Sequence, residues 1–273
     1  MPELPEVETV VASLREKVTG RIIAAVEVIS PRFLRSDTPE EFARQVVGRR
    51  ILALGRRGKY ILADLGEREL IVHLMMSGRL LWFPGEREWE RHTHVVLHLA
   101  DGGELVYQDA RGFGGLHLRP KGGVGGPPGL ARLGPEPLSE AFTVEYLITA
   151  LAGRRTRIKP LLLDQEVVAG LGNIYVDECL FAAGIHPARA ALSLQPAEAQ
   201  RLHRVIGEVL REAIAHRGTT FATYVDGAGR QGEHARHLRV FRRTGQPCPR
   251  CGQPVERIRL AGRGTHLCSR CQA

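Results

Sequence analysis

The sequence predicts an α+β protein of more than one domain: an N-terminal helix, a β-sandwich, a helical segment and a small cysteine-built tail. Three observations carry this reading. Apolar residues recur at helical spacing at the start of the chain and again in its second half, with strand-like runs between them. Four of the five cysteines fall in two close pairs near the C-terminus. The chain has 273 residues, more than one core of ordinary size holds together.

The first helix is signalled by Pro5 in its opening turn, by Glu6 and Glu8 at the positive end of the helix dipole, and by Gly20 as its stop. Val7, Val10, Val11, Leu14 and Val18 form its buried stripe. From Arg21 to about Pro120 the pattern becomes strand-like, over Ile22 to Ile29, Ile51 to Leu65, Leu70 to Phe83 and His94 to Leu118. Asp101-Gly102-Gly103 reads as a hairpin turn. Strands in succession without helices between them predict a β-sandwich. The glycine-rich stretch Lys121 to Gly129 is the natural boundary, which closes a first domain at 1–130. After Gly134-Pro135-Glu136-Pro137 the chain turns helical. It is clearest over Ala197 to His216, where Leu202, Val205, Ile206, Val209, Leu210 and Ala213 share a face. Gly218 to Gly232 reads as a long loop, and a second domain spans 131–238.

The remaining segment, 239–273, contains Cys248-x2-Cys251-x16-Cys268-x2-Cys271. Two such knuckles present four thiolates to one tetrahedral Zn²⁺ and leave no open coordination position, so the metal is expected to be structural. His266 lies outside the knuckles and is a poor competitor as ligand. Val255 to His266 reads as a β-hairpin with its turn at Ala261-Gly262-Arg263-Gly264. Cys179, in an apolar helix-like stretch, reads as a core thiol.

The formal net charge is +8, and residues 239–273 alone carry eight arginines against the single acid Glu256. Such a balance points to a polyanion or a membrane surface, although charge alone leaves a solvated basic face equally open. No stretch approaches the roughly 20 apolar residues of a membrane span. No secretory leader is evident, because Glu3, Glu6 and Glu8 interrupt the first ten residues. A reducing cytoplasmic setting is therefore expected, in which paired cysteines bind metal before they form disulfides.

The opening MPELPEVETV and the four-cysteine tail together resemble the formamidopyrimidine-DNA glycosylases. Further matching segments are Arg56-Arg57-Gly58-Lys59-Tyr60, His73-Leu74-Met75-Met76-Ser77-Gly78, Leu133 to Leu138, and Asp164 to Pro187. The last of these resembles that family's helix–two-turn–helix. The resemblance covers essentially the whole chain. It implies a bacterial base-excision-repair enzyme, monomeric and cytoplasmic or nucleoid-associated, acting on damaged double-stranded DNA with one structural zinc.

It also implies roles for particular residues. Removal of Met1 would leave Pro2 as a terminal secondary amine, and such amines ionise near pH 8, so much of this one is unprotonated near neutrality. That nitrogen is the implied nucleophile and Schiff-base former, with Glu3 as general acid/base, Glu6 as a second acid tuning the site, and Lys59 working at the damaged nucleotide. Arg263 is implied in a second elimination, for which its permanent charge suits it better as a phosphate ligand than as an acid. Met76, Arg111 and Phe113 are the implied wedge filling the gap left by a flipped base. Asn173, His92, Arg154 and Lys159 are implied backbone contacts. Two features depart from the family. Arg111-Gly112-Phe113 offers one basic residue where relatives often have two, and the expected lesion-capping loop Thr219 to Arg239 has Gln231-Gly232-Glu233-His234 where relatives often place aromatics.

Two other readings compete. An endonuclease VIII-like enzyme for oxidised pyrimidines usually has glycine where this chain has Leu4. A non-catalytic zinc-containing DNA-binding protein would explain the tail but gives Pro2, Glu3 and Lys59 no task.

Overall fold

The computed structural model describes residues 2–273. The processing of Met1 lies outside the described residues. The chain forms two compact units: one runs through Ala131 and adds His216–Glu233, and the other comprises Arg132–Ala215 and His234–Ala273.

The first unit begins with α1 (Leu4–Val18), whose expected stripe of Val7, Val10, Val11, Leu14 and Val18 is buried. Behind it lies the β-sandwich. One sheet is formed by β1 (Ile23–Val28), β6 (Thr93–Leu99), β7 (Glu104–Asp109) and β5 (Gly78–Phe83), in that spatial order. The other is formed by β2 (Ala53–Arg57), β3 (Tyr60–Asp64), β4 (Arg68–His73) and β8 (Gly115–Pro120). All the pairings are antiparallel. Alternate residues such as Ile61, Val72, Leu80, Val95, Leu97, Leu105 and Leu116 meet in one apolar core.

The long strand-like runs of the sequence thus divide into hairpins, with Asp101-Gly102-Gly103 lying between β6 and β7 as expected. A helix, α2 (Pro39–Val46), interrupts the strands. Its start carries a legible signal: Thr38 and Glu41 form a reciprocal capping box and Pro39 opens the first turn.

The second unit is helical: after the short α3 (Pro128–Ala131) at the end of the first, it contains α4 (Val144–Leu151), α5 (Ile158–Leu163), α6 (Asn173–Ala183) and α7 (Pro196–Ala215). The α7 stripe of Leu202, Val205, Ile206, Val209, Leu210 and Ala213 is buried as expected, and so is Cys179 on α6. The tail folds as a hairpin of β9 (Glu256–Leu260) and β10 (Arg263–Leu267), in the same unit as α6. Arg250 donates to the Phe181 and Ala182 carbonyls at 2.9 and 2.7 Å, and Gln272 to that of Ile185 at 2.9 Å.

Residues 216–233 depart from the contiguous 131–238 domain expected from sequence. Their anchors lie in the first unit, where Gly227 N–H donates to Ser13 Oγ at 2.8 Å, the Gly227 carbonyl accepts from Trp82 N–H at 2.8 Å, and Arg79 Nε donates to the Thr223 carbonyl at 2.7 Å. A Cβ on Gly227 would come within 2.3 Å of Leu14 Cγ, so this loop lies directly on α1.

Candidate active site

Pro2 and Glu3 lead into α1 and both are buried. Glu3 is the N-cap residue, and its N–H donates to Glu6 Oε2 at 2.8 Å. The other oxygen of Glu6 accepts from Thr219 N–H at 2.7 Å. Glu6 is 1% exposed, so its carboxylate serves as a clamp, gripping the chain's first turn and the base of the 216–233 loop with one oxygen each. The Tyr224 hydroxyl reinforces the junction, bonding the carbonyls of Glu6 at 3.2 Å and Arg217 at 3.1 Å. Gly218 has φ +73° there, and a Cβ on it would lie 2.8 Å from Glu6 Oε1.

Lys59 occupies the two-residue turn joining β2 to β3. Gly58 supplies the turn's left-handed residue, at φ +56°. Arg56 fixes this turn to α1: its Nε donates to Glu8 Oε2 at 2.8 Å and its Nη1 to the Gly58 carbonyl at 2.9 Å. Burial, then the Lys59 charge and that of His117, bring the pKa of His73 down to about 4. His73 is therefore neutral near pH 7, and its ring packs on Tyr60 at 4.3 Å between centroids.

The expected wedge residues are brought together. Met76 (38% exposed) sits in the turn after β4, and Phe113 (53%) and Arg111 sit in the loop after β7. Arg111 lies over the Phe113 ring at 5.1 Å. Asp109, which is buried, joins these segments. Its Oδ1 accepts from Ser77 Oγ at 2.5 Å and Arg111 N–H at 3.1 Å, and its Oδ2 accepts from Gly114 N–H at 2.9 Å. Desolvation pushes the Asp109 carboxyl upward, but these donors outweigh it and hold the pKa below the usual range. Asp109 N–H also donates to the carbonyl of His92 at 3.1 Å. His92 is exposed and has φ +72°, an uncommon backbone for a side chain of its size. Sequence reasoning missed Asp109, because an acid at a strand end carries no mark of what its backbone neighbours will need.

In the second unit Arg154 lies exposed after α4, and Asn173 opens α6 beyond Gly172. Asn173 Nδ2 donates to the Gly264 carbonyl at 3.0 Å, which ties the helix start to the hairpin bearing Arg263. The hairpin turn is Ala261-Gly262, with both φ values positive, at +46° and +76°. Arg263 is therefore the exposed first residue of β10 and not part of the turn.

Lys159 corrects the sequence expectation, being 0% exposed. Its ammonium donates to Asp177 Oδ1 at 2.7 Å, Thr265 Oγ1 at 2.9 Å and the Gly264 carbonyl at 3.2 Å. An ammonium with all three protons engaged inside the protein has none to offer a phosphate.

The sulfurs of Cys248, Cys251, Cys268 and Cys271 lie within 4.8 Å of one another. The pairs Cys251–Cys268 and Cys248–Cys271 are 3.5 and 3.9 Å apart, close to the roughly 3.8 Å edge of a tetrahedron with Zn–S bonds near 2.3 Å. His266 turns away from a ligand role: its N–H and Nδ1 contact Asp177 Oδ2 at 2.8 and 3.2 Å. The chain holds one zinc ion on these four thiolates.

Three family profiles match in order: the formamidopyrimidine-DNA glycosylase N-terminal domain over residues 1–116, the H2TH domain of the same enzymes over 133–225, and a zinc finger found in FPG and IleRS over 245–273. The chain belongs to the formamidopyrimidine-DNA glycosylase family. The enzyme of that name from Symbiobacterium thermophilum is 55% identical over 272 residues, covering 100% of this chain and 89% of the relative. The fold is similar to that of Lactococcus lactis Fpg bound to abasic-site DNA, with TM-score 0.91, 38% identity and 99% of each chain covered. A mutant of that enzyme bound to Fapy-dG DNA has TM-score 0.92 and 37% identity, again with 99% of each chain covered. Family membership makes this protein a DNA glycosylase. Among the described residues no helix is long and apolar enough to cross a membrane.

Proposed function

We propose that the protein is a monomeric, bifunctional glycosylase and abasic-site lyase that excises oxidised purines from duplex DNA, using the nitrogen of Pro2. The observation that carries this is the buried Pro2-Glu3 start of α1, held by one oxygen of the Glu6 carboxylate while the other grips Thr219. A nucleophile needs a fixed position more than a strong base, and orientation alone is worth several orders of magnitude in rate.

With Met1 removed, the Pro2 lone pair forms a bond to C1′ as the glycosidic bond breaks and the damaged base leaves with that bond's electrons. The proton on the attacking nitrogen passes to the departing base and frees the lone pair again; that pair expels O4′ to give an iminium, and Glu3 delivers the proton that O4′ takes up. The iminium acidifies the C2′ proton, whose loss expels the 3′ phosphate. A second elimination, with loss of the C4′ proton, expels the 5′ phosphate. Lys59 and, in the other unit, Arg263 supply positive charge for the phosphates. His92, Arg154 and Asn173 hold the backbone, and Met76, Arg111 and Phe113 occupy the space the lesion vacates. Lys159 has no place in this contact set. Two complexes of the Lactococcus lactis enzyme, with Fapy-dG and with abasic-site DNA, support the substrate class.

Borohydride trapping on a duplex with 8-oxoguanine opposite cytosine tests the mechanism. A covalent adduct is expected from the wild type, a slower one from Pro2→Gly, which keeps a primary terminal amine, and none from protein that keeps Met1. Full activity with Met1 attached would overturn it. Faster excision of thymine glycol than of 8-oxoguanine would move the protein to the oxidised-pyrimidine class.

A further inference from the structure

Two buried acids, Asp177 and Glu178, stand side by side on α6 and neither has a task in the chemistry above. Glu178 accepts the backbone N–H groups of Arg239, Val240 and Phe241 at 2.8–2.9 Å, which fastens the bend that opens the zinc segment. Asp177 grips the hairpin itself. Its Oδ2 accepts from His266 N–H at 2.8 Å, and its Oδ1 holds the Lys159 ammonium at 2.7 Å. Through Lys159 it also reaches Thr265 Oγ1 and the Gly264 carbonyl, so three consecutive residues next to Arg263 hang on one carboxylate. The Gly264 carbonyl is shared, since it accepts from Asn173 as well. A shift of that carbonyl would move Arg263 and Asn173 relative to each other.

We propose that Asp177 is a positioning residue for Arg263: acting through Lys159 and the Gly264 carbonyl, it holds the hairpin tip in register with Asn173 so that both address the same phosphate. The inference rests on the lyase reading above. Arg263 is exposed, and Ala261 and Gly262 beside it are exposed and joined only by a tight turn. The fixed points of the tip are therefore the residues on its inner strand. An ionised acid is needed there because Lys159 is wholly buried and its charge must be matched.

The test is the product ratio at an abasic site under single turnover. In Asp177→Asn the fraction carried through the second elimination is expected to fall about tenfold, while the rate of adduct formation stays within about threefold of wild type. In an Arg263→Gln background the same substitution should produce no further change in the ratio, since both act through one group. The pair Lys159→Met with Asp177→Leu removes both charges together, leaves no unmatched ion, and is expected to lower the ratio likewise. Amide exchange across Gly264–His266 should quicken in both variants, and this readout does not depend on the chemistry. An unchanged ratio, a parallel fall of both steps, or unchanged exchange would overturn the assignment. Absence of an adduct with the wild type would instead sink the lyase reading, with the exchange measurement still deciding the role of Asp177.

Discussion

Replacing Asp109 with asparagine should loosen the loops that carry Met76, Arg111 and Phe113 without replacing any side chain proposed to meet DNA. The carboxylate accepts from Ser77, Arg111 N–H and Gly114 N–H, and at 3.5 Å from the Tyr107 hydroxyl. Asparagine keeps one accepting oxygen and turns an NH₂ toward the remaining donors. If the oxygen stays with Ser77 and Arg111, the Gly114 N–H faces another donor, and the loss is about 1–3 kcal/mol, as for any buried group left unpaired. At about 2–4 °C per kcal/mol for a unit of this size, calorimetry should show a fall of roughly 5 °C. Binding to a duplex with a non-cleavable abasic analogue should weaken more than tenfold, a larger effect than the stability change alone predicts. The pH dependence has a definite sign. Because the folded-state pKa lies below the usual value, the stabilisation is complete above about pH 4 and disappears as pH falls through the folded value. Wild type and variant should therefore converge in acid. Equal melting temperatures at pH 7, or a difference that grows below pH 4, would refute the argument.

Gly218→Ala places a Cβ 2.8 Å from Glu6 Oε1 on a backbone with φ +73°, so a loss of at least about 2 kcal/mol is expected, with borohydride trapping reduced alongside. Arg189 engages Glu198 through both carboxylate oxygens at the start of α7 and lowers its pKa to about 2, so this contribution is present above about pH 4 and lost towards pH 2. Acid melts of Glu198→Gln should lack that part of the slope. Chelation should remove one zinc per chain and unfold the β9–β10 hairpin, because its apolar support is a small cluster of Phe181, Val240, Val255 and the cysteines themselves; retained amide protection in metal-free protein would contradict this.

What was legible in the sequence was legible because it is periodic or local. The α1 and α7 stripes follow from helical spacing, the zinc ligands from two knuckles, and the Asp101-Gly102-Gly103 turn from its own glycines. Met76, Arg111, Phe113 and Arg263, to which the resemblance assigns DNA contacts, are exposed, although Met and Phe in such segments are usually core residues. It misled at Lys159, whose partners lie 18 and 106 residues away at Asp177 and Thr265. Residue type announces a cation, but only the assembled fold shows whether water reaches it. The allegiance of 216–233 was hidden for the same reason, since the Glu6–Thr219 bond spans 213 residues.

Those misses share a physical basis. Tyr224 and Val240 give two of the functional loops some apolar contact, but each loop also has a polar anchor. In each case a buried carboxylate supplies the anchor by accepting N–H groups from the loop backbone: Glu6 at Thr219, Asp109 at Arg111 and Gly114, Asp177 at His266, and Glu178 at residues 239–241. An acid suits the task because it accepts several donors at once and remains bound to them when buried. Placed on the surface, the same acids would repel a polyanion; enclosed by donors, they position cationic and apolar tips while presenting no carboxylate to it. Neutralising an anchor should impair DNA handling as much as removing a surface arginine, even though the net charge becomes more positive.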